Sequence, residues 1–179
     1  MILTKNKILD EINKKRIKIT PFDKTSIGPA SIDLRLGDEI RIFKNKNNKI
    51  KAVESFDYKK ITKKISIKKG HTLKPGDLVL GITKEKITLP NDICGWLNSR
   101  SRFARLGLMV HITAPFIQPG VSNNQVLEIY NAGSQDIVLI PKTKLCQFIF
   151  QRCEGNAQYQ GKFKSQNLCN CKCNYSNSL

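Results

Sequence analysis

Glu128 stands among Val126, Leu127, Ile129 and Tyr130, and a carboxylate in so apolar a run is costly to bury unless it is paired or used. Read as a strand, the segment puts Glu128 on the same face as Val126 and Tyr130. Desolvation there raises a carboxylate's pKa toward neutrality, which suits a group that accepts a proton and later returns it. An outward-facing glutamate on a half-exposed strand fits the same residues equally well. A second group is the run Ser99, Arg100, Ser101, Arg102, Phe103, Ala104, Arg105. If this run opens a helix, free backbone N–H groups, serine hydroxyls and guanidinium groups together make an anion site. Ser101 and Arg105 are spaced i, i+4 and share a helical face; a plain capped surface helix is the simpler alternative. The third is QYQGKFKSQ at 158–166, with Tyr159, Lys162 and Gln166. It is polar, basic and aromatic but misses a phosphate-binding P-loop: Gly155 to Gly161 is one residue too long, and Phe163 stands where Ser or Thr belongs. An exposed segment reads the same way.

Some chemistries are absent. The H-x-E and P-C-x-x-C signature of zinc deaminases does not occur, and His71 and His111 are the two histidines, too few for a His-rich metal site. No G-x-S-x-G hydrolase elbow is present either.

Positioning these groups falls mainly to strands. Residues 4–15 read as a short helix with Thr4 at its N-cap and Ile8, Leu9 and Ile12 on one face. The period then becomes two: Ile32, Leu34 and Leu36 alternate with Ser31, Asp33 and Arg35. Residues 39–43, 77–83, 86–89, 108–113, 125–131, 136–140 and 145–151 are also strand-like, separated by turn chemistry such as KPGD, LPND, QPGVSNN and NAGSQ. Many short strands and few helices predict a mainly β sandwich or barrel. Residues 1–166 read as one domain and 167–179 as a Cys- and Asn-rich tail.

Composition agrees with a globular chain: 179 residues, 40% hydrophobic and 25% charged. Neither an apolar span long enough for a bilayer nor a secretory leader is seen, so a cytoplasmic protein is expected. The net charge of +17 raises nucleic-acid binding, but the lysines are dispersed and lack interleaved aromatic platforms, so a solvated basic surface that steers small phosphates is the better reading. Cys94, Cys146 and Cys153 sit singly in apolar stretches and read as small hydrophobes. The CNCKC of Cys169, Cys171 and Cys173 matches neither a zinc knuckle nor a disulfide framework.

Taken in order, IGPASIDLRLGDEI (27–40), SRSRFARLGLMVHITA (99–114), IQPG (117–120), VLEIYN (126–131), LCQFIF (145–150) and GKFKSQ (161–166) resemble the dCTP deaminase family, related in fold to the trimeric dUTPases. The resemblance implies a distorted jelly-roll β-barrel of the dUTPase-like type, with a short N-terminal helix and few other helical turns. It implies a homotrimer with active sites between subunits, converting dCTP to dUTP and ammonia for dUMP and dTTP synthesis. Mg²⁺ would be bound through the triphosphate, without zinc, and dTTP would act as an inhibitor. Glu128 would be the general base, with Ser101 and Arg105 holding the water and orienting Glu128. Arg100, Ser101 and Arg102, with Phe103 and Ala104 beside them, would meet the phosphates. Thr113 and Ala114 would frame the base, and Gln118, Val126, Leu127, Gln147, Tyr159, Lys162 and Gln166 would contact nucleotide. The family usually has Gly at position 99, Ser or Thr at 102 and an acidic residue at 118, where this chain has Ser99, Arg102 and Gln118. Loss of the last carboxylate argues against dUTP hydrolysis. The alternatives are a bifunctional dCTP deaminase and dUTP diphosphatase, a dUTPase, and a non-catalytic nucleotide- or nucleic-acid-binding relative.

Overall fold

The computed structural model describes residues 1–44 and 49–164; Gln166 and the CNCKC tail lie outside them, as does the expected domain limit at 166. Helix α1 is Lys5–Asn13, shorter than expected, and buries Ile8 completely. Thr4 does occupy the N-cap, but its side chain makes no capping bond. Strands β1 (Lys18–Thr20), β2 (Ile32–Phe43), β3 (Thr62–Ser66), β4 (His71–Leu73), β5 (Leu78–Thr88) and β6 (Ile93–Ser99) follow. The one-turn helix α2 (Ser101–Ala104) then leads into β7 (Leu108–Met109), β8 (Phe116–Ile117), β9 (Ser122–Asn131), β10 (Ile137–Leu139) and β11 (Lys144–Arg152).

Among the described residues the strands run in the order β7-β9-β5-β2-β11-β6-β8, with β1 on β5 and β3 on β2, and every pairing is antiparallel. β2 is the hinge of this curled sheet. Its first half pairs with β11, Ile32 opposite Phe148, and its second half pairs with β5 and β3. The expected mainly β, jelly-roll-like fold is the fold observed. Segments that read as two strands, 77–83 and 86–89, form the single β5, whose register shifts between Ile82 and Lys86; such a shift lets a long strand bend.

The alternation seen in SIDLRL does what the period predicts: Ile32, Leu34 and Leu36 are at most 1% exposed. They join Phe148 and Phe150, whose rings lie 4.7 Å apart. Gly95 faces Phe148 so closely that a Cβ there would overlap the ring. No helix of the described residues is long and apolar enough to cross a membrane.

Candidate active site

β9 carries Glu128 on its half-exposed face with Val126 and Tyr130, while Leu127 and Ile129 are fully buried on the other. The side expected from alternation is therefore the side observed. The carboxylate is held by one neighbouring turn. Thr113 donates its backbone N–H to Glu128 Oε2 at 2.8 Å and its hydroxyl to Oε1 and Oε2 at 2.8 and 2.9 Å. Ile112 adds a longer amide bond of 3.2 Å. These amides explain why the strand expected over 108–113 pairs with β9 only at Leu108 and Met109: beyond that point the chain turns its N–H groups onto a side chain instead of a ladder.

The same bonds reverse the expected titration. Burial pushes the Glu128 carboxyl up, but the Thr113 hydroxyl and amide, the field of His111 and the Ile112 amide together outweigh it. The group lies below the ordinary glutamate value, not near neutrality. Donors to the charged form stabilise it, and here they exceed the desolvation cost.

Glu128 forms part of the wall of a cleft of about 430 Å³ that also takes in His111, Ala114, Gln118, Val126 and Tyr159. This volume falls in the range of small-molecule sites. Leu127 offers a ligand only its backbone, because its side chain is wholly in the core. Tyr159 packs on the core while lining the cleft, and Lys162 is exposed beside Phe163, its Nζ 5.8 Å from the ring centre. His111 escaped sequence reasoning. Both of its ring nitrogens are buried without a hydrogen-bond partner among the described residues, and no spacing in the sequence pairs it with Glu128.

The basic residues gather elsewhere. Arg100, Ser101, Arg102, Arg105 and Gln147 line a second depression, with Ser31 and Asp33 across from them. Arg100 is pinned: Nη1 donates to the Lys144 carbonyl at 2.7 Å and Nη2 lies 3.1 Å from Asp33 Oδ2. Ser31 donates to Gln147 Oε1 at 3.2 Å. Arg102 and Arg105 are exposed and have no carboxylate partner among the described residues. The Arg105 amide closes the turn onto the Ser101 carbonyl at 3.0 Å, so the i, i+4 pair does share that turn. Phe103 packs on the core. Ser99, where a glycine was expected, accepts from the Val110 amide at 3.2 Å. Gly107, with φ of +80°, lets the chain leave α2 against Gly133, where a Cβ would come within 2.6 Å of the Gly133 backbone. Ser101 and Arg105 therefore do not line the Glu128 cleft of their own chain.

The cysteines are not all solitary. Cys94 and Cys146 are buried, yet Cys94 on β6 meets Cys153, just past β11, and burial with that contact pushes the Cys94 thiol up to about 11. Among the described residues no three His, Cys, Asp or Glu side chains converge as a metal site.

The family model described as dCTP deaminase-like matches residues 2–153. A dCTP deaminase of Alteromonas mediterranea is 37% identical, covering 93% of this chain and 92% of its own. One from Pseudoalteromonas translucida is 39% identical, covering 93% and 94%. A dUMP-forming dCTP deaminase of Nocardioides sp. is 35% identical, covering 93% and 91%. Among solved structures, the 2'-deoxycytidine 5'-triphosphate deaminase of Agrobacterium tumefaciens has the same fold, with a TM-score of 0.68 at 22% identity. The match covers 86% of this chain but 48% of that longer one. A mutant dUTPase from phage phi11 of S. aureus aligns at a TM-score of 0.50 and 12% identity, over 82% of this chain and 96% of its own. With a matching family model over 2–153 and full-length relatives above 35% identity, the chain belongs to the dCTP deaminase-like family.

Proposed function

We propose that this protein is a dCTP deaminase that hydrolyses dCTP to dUTP and ammonia with Glu128 as general base. The observation that carries the reading is the Glu128 carboxylate, oriented by the 112–113 turn at the wall of a cleft that suits a pyrimidine nucleoside. Its lowered pKa keeps it ionised at neutral pH, the form that takes a proton from water. The hydroxide adds to cytosine C4 while Glu128 passes the proton to the ring nitrogen. Glu128 then takes the proton of the new C4 hydroxyl and gives it to the amine, so that the C4–N bond breaks to release ammonia and leaves the C4 carbonyl. Thr113 and Ala114 frame the base, and Gln118 and Tyr159 face the sugar side.

The separation of the two clefts supports a homotrimer in which a second copy brings Ser101 and Arg105 to Glu128, and the arginines of 100–105 to the triphosphate. Guanidinium groups and N–H donors suit phosphate oxygens. Mg²⁺ would neutralise charge on the triphosphate and would be carried by the phosphates themselves. Lys162 and Gln166 would close on the nucleotide.

A dUMP-forming relative exists at 35% identity, but a carboxamide at Gln118 cannot act as a base for hydrolytic water, which favours dUTP as the end product. Incubation with dCTP, CTP or dUTP plus Mg²⁺ tests this directly. Ammonia and dUTP in equal amounts from dCTP are expected; dUMP with pyrophosphate would show a bifunctional enzyme, and no ammonia would refute the reading.

A further inference from the structure

The Glu128 cleft has a polar floor that the reaction above does not use. Asn123 and Gln125 alternate with Glu128 on β9 and point inward, 4% and 0% exposed. Two buried carboxamides are costly unless bonded. Asn123 Nδ2 donates to the Phe163 carbonyl at 2.6 Å, and Asn123 Oδ1 accepts from Gln125 Nε2 at 2.7 Å. The Phe163 carbonyl can only accept, so it fixes which end of the Asn123 amide faces it, and that in turn fixes Gln125. Gln125 Oε1 is left buried with no partner among the described residues.

The residues so engaged belong to the chain after β11. Ala157 donates its amide to the Asn91 carbonyl at 2.8 Å, Tyr159 to Pro119 at 3.0 Å, and the Ser122 amide donates to the Lys164 carbonyl at 3.0 Å. Residues 157–164 thus run along the 119–123 segment, and Tyr159 and Phe163 become walls of the cleft. Gly120, at φ of +76°, is pressed by Gln158, which a Cβ would meet at 2.9 Å. The amide bonds are edge contacts; Asn123 adds a buried side-chain anchor near the end of the described segment.

We propose that Asn123 is the positioning residue that latches the 157–164 segment over the Glu128 cleft, with Gln125 setting the orientation of its carboxamide. The kinetic consequence rests on the deaminase reading, but the latch itself does not. Asn123→Asp separates the latch from a merely structural role, because its carboxylate still accepts from Gln125 but cannot donate to Phe163 when ionised. Asn123→Ala, which introduces no charge, is the second variant should the first fail to fold. Tryptic cleavage after Lys162 reads the open segment, and cleavage after the exposed Lys51 in the same digest is the internal control. Loss of one net hydrogen bond should raise the ratio of the two rates by roughly 2- to 13-fold. The same variants should raise the KM for dCTP more than they lower kcat. An unchanged ratio, or equal acceleration at both sites, overturns the latch. If the unaltered protein releases no ammonia from dCTP, the functional reading falls while the cleavage ratio still decides the latch.

Discussion

Glu11→Gln removes one charge from a ring of four. Arg16 Nε donates to Glu11 Oε2 at 2.6 Å and Arg152 Nη2 to Oε1 at 2.6 Å. Both guanidinium groups also reach Asp92, at 2.6 Å from Arg16 and 2.9 Å from Arg152. The ring ties α1 and the β5–β6 turn to the end of β11, where the chain enters the segment that roofs the cleft. The Glu11 side chain is 10% exposed, but those of Arg16 and Arg152 are 41% and 34% exposed. The value of a dry charge-assisted bond, about 1.5–3 kcal/mol, is therefore reduced by solvent. Taking about 1 kcal/mol for each of the two bonds, the variant loses roughly 2 kcal/mol. For a chain of this length that lowers Tm by about 4–8 °C. The pH dependence has a definite sign. Burial pushes the Glu11 carboxyl up, yet its bonds to Arg16 and Arg152 and their fields leave it below its ordinary 4.5, and Asp92 likewise falls below 3.8. A carboxylate lowered in the folded state contributes fully above its ordinary value and loses that contribution as pH falls through the folded one. Thermal unfolding followed by circular dichroism should show the full difference at pH 7 and a shrinking one below pH 4.5. A Tm within about 1 °C of the unaltered protein at pH 7, or a gap that persists in acid, would show that the Glu11 charge does not stabilise the fold through this ring.

Thr113→Val keeps the shape of the turn but removes the hydroxyl bonded to both Glu128 oxygens. The Glu128 pKa should rise, so the acid limb of the pH–kcat profile should move to higher pH; an unmoved limb would separate Thr113 from the titrating base. Gly95→Ala places a Cβ inside the Phe148 ring, and overpacking of this kind costs about 1–3 kcal/mol or more, to be seen as a lower denaturant midpoint or insoluble expression. Alkylation of the native protein at pH 8, mapped by mass spectrometry, should spare Cys94 and Cys146, whose thiols burial holds well above the ordinary value, until denaturant is added.

Much of the scaffold could be read from period alone. Ile32, Leu34 and Leu36 alternate inward as predicted, and Glu128 shares its face with Val126 and Tyr130. β6 escaped because Cys94, Gly95 and Trp96 break the alternation; its first three residues are all buried, the glycine because Phe148 lies against it. Asn123 read as turn chemistry, since an asparagine in a strand interior makes sense only once the Phe163 carbonyl, 40 residues on, is known to meet it. The direction of the Glu128 shift was illegible for a related reason. Burial is a local property of its strand, but the donors that overcome it come from Ile112 and Thr113, residues whose pattern also suits a sheet. The split between the carboxylate cleft and the arginine depression likewise appears only when the strand order is known.

In the proposed reaction one hydrogen-bonded carboxylate, that of Glu128, moves the protons. Glu128→Gln preserves shape and removes the base, so dCTP titrated calorimetrically should bind within a few-fold of the unaltered protein while ammonia release slows by at least about 100-fold. Ammonia release from dCTP at an undiminished rate in this variant would show that Glu128 is not the base.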